Sequence, residues 1–163
     1  MTKKNFLYSN PELSVWLHKG RDWIILLVMI QYVLAEDVDL RVKEIIRKLK
    51  MTHIDETRVI CLRSRGSASR KVIARCHGLS RIMQVALTQK PHYIIEILSE
   101  RFDRLSREEQ TKVLIHEVLH IPHCFGGGFR AHKPYVTRAK VQKTYYEFMN
   151  VESKDSENED VPF

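Results

Sequence analysis

Apolar positions along the chain fall into blocks of different period. From Val38 to Leu49, the residues Val38, Leu40, Val42, Ile45, Ile46 and Leu49 alternate with charges at roughly helical spacing, which predicts an amphipathic helix. Arg58–Leu62 (RVICL) is short and rich in β-branched residues, and Tyr93–Leu98 (YIIEIL) is almost wholly apolar; both read as strands, the second largely buried. Trp23–Ala35 (WIILLVMIQYVLA) reads as a buried core helix, because thirteen residues interrupted by Gln31 fall short of the roughly twenty that a membrane span needs. A shorter helix is predicted from Pro11 towards His18, capped by Asn10 and stopped by Gly20. Val136–Met149 reads as a closing helix. Arg63–Ser69 (RSRGSAS) reads as a loop. Lys71–Leu87 stays open: its two apolar pieces, on either side of Gly78, fit short helices or short strands equally well.

One predicted helix carries chemistry. Ser106-Arg107-Glu108-Glu109 is a capping box, in which the serine oxygen caps a free amide and the glutamate three residues on reaches back. The helix then runs to Ile121, where Pro122 ends it. At about 100° per residue, with His116 at zero, His120 falls near 40° and Glu117 near 100°. Leu114, Ile115, Val118, Leu119 and Ile121 occupy the opposite arc. Two imidazoles one turn apart can grip one metal ion, and the carboxylate beside them can reach the water that the ion activates. The bland alternative is a helix with two partly exposed histidines and a surface glutamate.

A catalytic zinc site takes three protein ligands and keeps one position open. His123, Cys124 and His132 are the candidates for the third. On a straight helix His123 would lie about 10.5 Å along the axis from His116, too far for one ion to reach all three. Gly126-Gly127-Gly128 lets the chain reverse after Pro122 and fold His132 back over the helix, so His132 is favoured over His123 and Cys124.

Charge adds an asymmetry. The chain carries +7 in all, but from Asn150 onward five acids (Glu152, Asp155, Glu157, Glu159, Asp160) face only Lys154, a net of −4 that leaves +11 on residues 1–149. This acidic stretch, 150–163, reads as a disordered tail. Thr57–Ile95 holds no acid at all, and Arg63, Arg65, Arg70, Lys71 and Arg75 within it are candidate nucleic-acid contacts; a solvated face balanced by acids elsewhere is the plainer reading. Three widely spaced cysteines (Cys61, Cys76, Cys124) argue against a disulfide scaffold and suit a reducing, cytoplasmic setting. The basic N-terminus lacks the pattern of a signal peptide. No linker divides the chain, so 1–149 reads as one domain with a helical extension over 1–35.

Several segments together resemble a known family. YIIEILSERFDRLS (Tyr93–Ser106), KVLIHEVLHIP (Lys112–Pro122), FGGGFRAHKPYV (Phe125–Val136) and CLRSRGS (Cys61–Ser67), with Ala74-Arg75, are similar to the archaeal and phage metallopeptidases related to SprT-like zincins. The resemblance covers roughly residues 36 to 149. It implies an α+β, zincin-like fold, a small mixed sheet packed on helices that include the HExxH metal helix. It also implies Zn2+ held by His116, His120 and His132, with Glu117 as the catalytic residue. Metzincins are excluded, since the positions three and six after His120 are His123 and Gly126. Peptide deformylases are disfavoured, because Arg75-Cys76-His77-Gly78 lacks their cysteine motif and no glutamine-bearing glycine loop precedes it.

The expected reaction is peptide hydrolysis, with Glu117 as general base and Arg130 and Tyr135 as candidate donors to the developing oxyanion. An extended protein or peptide substrate is expected to pair along Tyr93–Leu98 as an edge strand. The rivals are a nucleic-acid-binding protein that uses the basic 57–95 stretch, and a protease recruited to DNA.

Overall fold

The computed structural model describes residues 30–67 and 69–159. The predicted Asn10–His18 helix and Trp23–Met29 lie outside them. The described chain is mixed α and β: a four-stranded sheet of β1 (Gln31–Leu34), β2 (Val59–Arg65), β3 (Ala74–Gly78) and β4 (Tyr93–Leu98), in the order β1-β2-β4-β3. β1 runs antiparallel to β2, β2 parallel to β4, and β3 antiparallel to β4.

Three expectations change here. The end of the apolar Trp23–Ala35 run is a strand, not a helix: Gln31–Leu34 pairs with Leu62–Arg65. That pairing also draws Arg63–Arg65, read as loop, into β2. Tyr93–Leu98 is not an edge, since it lies between β2 and β3; among the described residues the edge on that side is β3, from the segment that periodicity left open.

Helices cover one face. α1 (Glu36–Lys48) places Glu36, Asp37 and Asp39 in its first turn and Arg47 and Lys48 in its last, each sign where the helix dipole favours it. It buries Val38, Val42, Ile45 and Ile46, while Leu40 faces outward. A single 3-10 turn (Glu56–Arg58), capped by Asp55, leads into β2. α2 (Arg81–Ala86) follows β3, and α3 (Ser99–Phe102) follows β4.

α4 (Arg107–Leu119) opens on the capping box: Ser106 Oγ accepts from the Glu109 amide at 3.2 Å and Glu109 Oε2 accepts from the Ser106 amide at 3.1 Å. It packs on α1, α6 and β3. The kinked turn α5 (His132–Tyr135) precedes α6 (Arg138–Glu159), which continues through most of the stretch read as a disordered tail. Tyr93, Ile95 and Ile97 meet Leu114, Ile115, Val118 and the α1 stripe in one core. Burying such side chains stabilises by roughly 1.5–3 kcal/mol each, and this anchors α4 beneath the β3 edge.

Candidate metal centre

α4 ends where its chemistry lies. His116 and Glu117 stand in its last turn, and His120 is the C-cap residue. Pro122 follows, and the chain turns: the Phe125 amide donates to the Pro122 carbonyl at 2.9 Å, with Phe125 at φ 44° and Gly127 at φ 91°. The loop then returns to the helix it left. The Arg130 amide donates to the His120 carbonyl at 2.8 Å, and His120 Nδ1 lies 2.7 Å from the Arg130 carbonyl oxygen. That oxygen can only accept, so Nδ1 carries the proton and the Nε2 lone pair of His120 is free.

The loop is held from below by residues that sequence reasoning missed. Tyr93 Oη accepts from the Gly127 amide at 2.8 Å and donates to the Gly128 carbonyl at 2.9 Å. Gln84 Nε2 donates to the carbonyls of Leu79 (2.7 Å) and Gly126 (2.9 Å). Gly127 could carry no side chain, since a Cβ there would collide with the Leu79 carbonyl oxygen. A Cβ on Gly78 would lie 2.6 Å from the Gly127 carbonyl oxygen. One signal was available: a tyrosine opening an aliphatic strand needs a partner for its hydroxyl when buried.

His132, carried on this loop, meets the helix pair. The ring centroids of His116 and His120 are 4.9 Å apart, those of His116 and His132 5.2 Å, and those of His120 and His132 4.7 Å. Each ring offers one nitrogen to a cluster within 4.8 Å, a group that could hold a metal ion. His116 Nε2 and His120 Nε2 lie 3.2 Å apart. Two nitrogens bound to a tetrahedral zinc at about 2.0–2.1 Å stand roughly 3.3 Å from one another, so this donor pair fits one such ion. Burial, then the neighbouring His120 and His132, push the His116 pKa down to about 4, which keeps its ring neutral and able to donate a lone pair.

Glu117 is buried at 7% exposure, on the wall of the same cavity. Burial pushes its pKa up to about 7, against the backbone hydrogen bond from Cys76 that lowers it. Cys76, on β3, also faces the cavity; burial and then the Glu117 charge raise its thiol to about 12, so it stays protonated.

The other candidates separate. His123 is exposed and pairs with His53 (centroids 4.3 Å), away from the cluster. Cys124 is exposed and outside it. Arg130 lines the cavity, and its Nη2 is buried without a hydrogen-bond partner among the described residues. Tyr135 is exposed and is not part of the lining. Of the basic stretch, Arg63 is held by Asp37 (2.6 Å) and Asp103 (2.5 Å), and Arg75 by Glu96 (3.3 Å). Sheet register puts Arg63 beside Ile97 and Arg75 beside Glu96, on opposite faces. Arg65, Arg70 and Lys71 are exposed, with Lys71 on the cavity wall.

Residues 30–149 match the family model described as "Putative phage metallopeptidase". The chain belongs to that family. No curated protein and no solved structure matches the chain. Membership implies a metal ion and a protein or peptide substrate, and the histidine cluster lies within the matched residues. No helix among the described residues is long and apolar enough to cross a membrane.

Proposed function

We propose that the chain is a zinc-dependent peptidase of zincin-like fold, with His116, His120 and His132 holding Zn2+ and Glu117 as general base. One observation carries this reading: three imidazoles from a helix end and a returning loop converge beside a buried carboxylate on one cavity wall. When bound, zinc would act as a Lewis acid on the scissile carbonyl and lower the pKa of water there.

Everything else falls to the chain's own groups. The Glu117 carboxylate, with a pKa near 7, is poised to take a proton from the attacking water and return it to the leaving amine. The Arg130 carbonyl holds the His120 ring in the tautomer that presents Nε2. β3, the edge strand beside the cavity among the described residues, offers an extended substrate its outward backbone groups apart from the Cys76 amide, which Glu117 holds; this is the role first assigned to Tyr93–Leu98. Arg130 remains a candidate donor to the developing oxyanion, since it lines the cavity. The exposed Tyr135 has no such support.

Glu117→Gln keeps the shape of the wall and removes the base. Near-stoichiometric zinc in the purified variant, with casein cleavage reduced by at least about a hundredfold, is the expected result. Cleavage at the wild-type rate would end the general-base assignment, and absence of zinc from both proteins would end the metal assignment.

A further inference from the structure

The cavity beside the histidine cluster encloses about 1100 Å3 and is walled by β3 with its approach on one side and by α4 and the start of α6 on the other. Five cations line it: Lys71, Arg75, Lys112, Arg130 and Arg138. Among the described residues only two acids do, and both are engaged: Glu109 closes the capping box, and Glu117 rests on the Cys76 amide. Arg75 and Lys112 also have carboxylate partners, Glu96 and Glu108. Lys71 and Arg138 do not. Both are exposed at the cavity wall, and among the described residues neither has an ion pair. They come from different elements, one just before β3 and the other at the first residue of α6.

We propose that this cavity selects acidic polypeptide segments, with Lys71 and Arg138 reading carboxylates on either side of the bond presented to the histidine cluster. The proposal rests on the peptidase reading and adds the substrate class to it. A concave wall of one charge sign concentrates ligands of the opposite sign and speeds their capture. The edge strand favours a polypeptide over another polyanion, because its outward backbone groups, the Cys76 amide apart, match a peptide backbone and not a sugar-phosphate one. Within α6, Glu152 is carried away from this wall. α6 starts at Arg138, so Glu152, fourteen residues on, lies about 21 Å along the helix axis.

The test uses zinc-loaded Glu117→Gln protein, so that binding is read without turnover. The probes are a fluorescent octapeptide alternating glutamate with alanine, its glutamine counterpart, and an oligothymidylate of equal charge. The acidic peptide is expected to bind at least about tenfold tighter than the neutral one, with the difference shrinking as salt rises. Adding Lys71→Glu and Arg138→Glu should bring the preference below about twofold while zinc content stays unchanged. Equal binding of the two peptides, or a preference that survives the double substitution, overturns the proposal. Tighter binding of the oligothymidylate, lost in the same variant, also overturns it and assigns the cations to nucleic acid. Charge-selective binding by a wild-type protein that cleaves nothing would remove the peptidase reading and leave this one standing; cleavage without charge preference would do the reverse.

Discussion

The two halves of the histidine cluster are built by opposite means. His116 and His120 come from one continuous helix, where 3.6 residues per turn sets their spacing and the capping box and buried face hold the helix in place. His132 arrives on a loop, and no periodicity governs it. Its position depends on contacts from three other elements: Tyr93 at the start of β4, Gln84 on α2, and the His120–Arg130 exchange at the end of α4. A helix positions ligands through its own backbone, whereas a loop borrows its geometry, so substitutions far away in sequence should loosen the second half and spare the first.

The largest expected effect lies on the helix half, and it is a gain. Glu117 has its pKa raised by burial, so in the zinc-free protein ionising it opposes folding. That penalty is absent below the unfolded value of about 4.5 and complete above the folded value of about 7. Chelated Glu117→Gln should therefore match the wild type near pH 4 and be more stable above pH 7, by about 3 kcal/mol. Denaturant unfolding at a series of pH values reads this, and a pH-independent difference would remove desolvation as the cause.

Next comes the loop. Tyr93→Phe keeps the buried ring but strands the Gly127 amide, and it should weaken zinc binding by about 10- to 100-fold. Competition with a chromophoric chelator measures it, and an unchanged affinity would mean that the loop holds its shape without the hydroxyl. The smallest effect is the reciprocal case. Ser106→Ala removes the cap of α4 at a cost of about 1 kcal/mol in stability. Zinc affinity should hold within about twofold, because His116 and His120 sit at the far end of the helix; a larger loss would show that the helix half also depends on distant support.

This contrast also explains what could be read before the fold was known. α1, β2, β4 and α4 were legible because each couples a clear period to a recognisable boundary, such as the acids opening α1 or the serine capping α4. β1 was not: an apolar run such as WIILLVMIQYVL has no polar face to mark its period, and only pairing with Leu62–Arg65 makes its end a strand. β3 and α2 were equally undetermined, since both are too short for a period to show. α6 extends beyond Met149 to Glu159, into the acidic stretch that composition alone reads as a tail. In the site, His116, Glu117 and His120 could be placed relative to one another from spacing alone. The placing of His132 needed only the glycines that allow reversal, but the residues that fix the reversal come from 34 to 42 positions away. Such contacts leave no local trace.

If substrates pair along β3, the edge strand would act as a ruler. β3 has five residues, about 17 Å of extended backbone at roughly 3.3 Å per residue. A substrate reading itself against that length must surrender a comparable stretch with its own amides and carbonyls unpaired. A loop tip of two or three residues is too short, and a strand inside another sheet has no groups to spare. On the proposed reading, chains that have lost their fold, or ends that never had one, would meet the requirement at only the entropic cost of ordering, whereas intact neighbours would have to break pairing of their own.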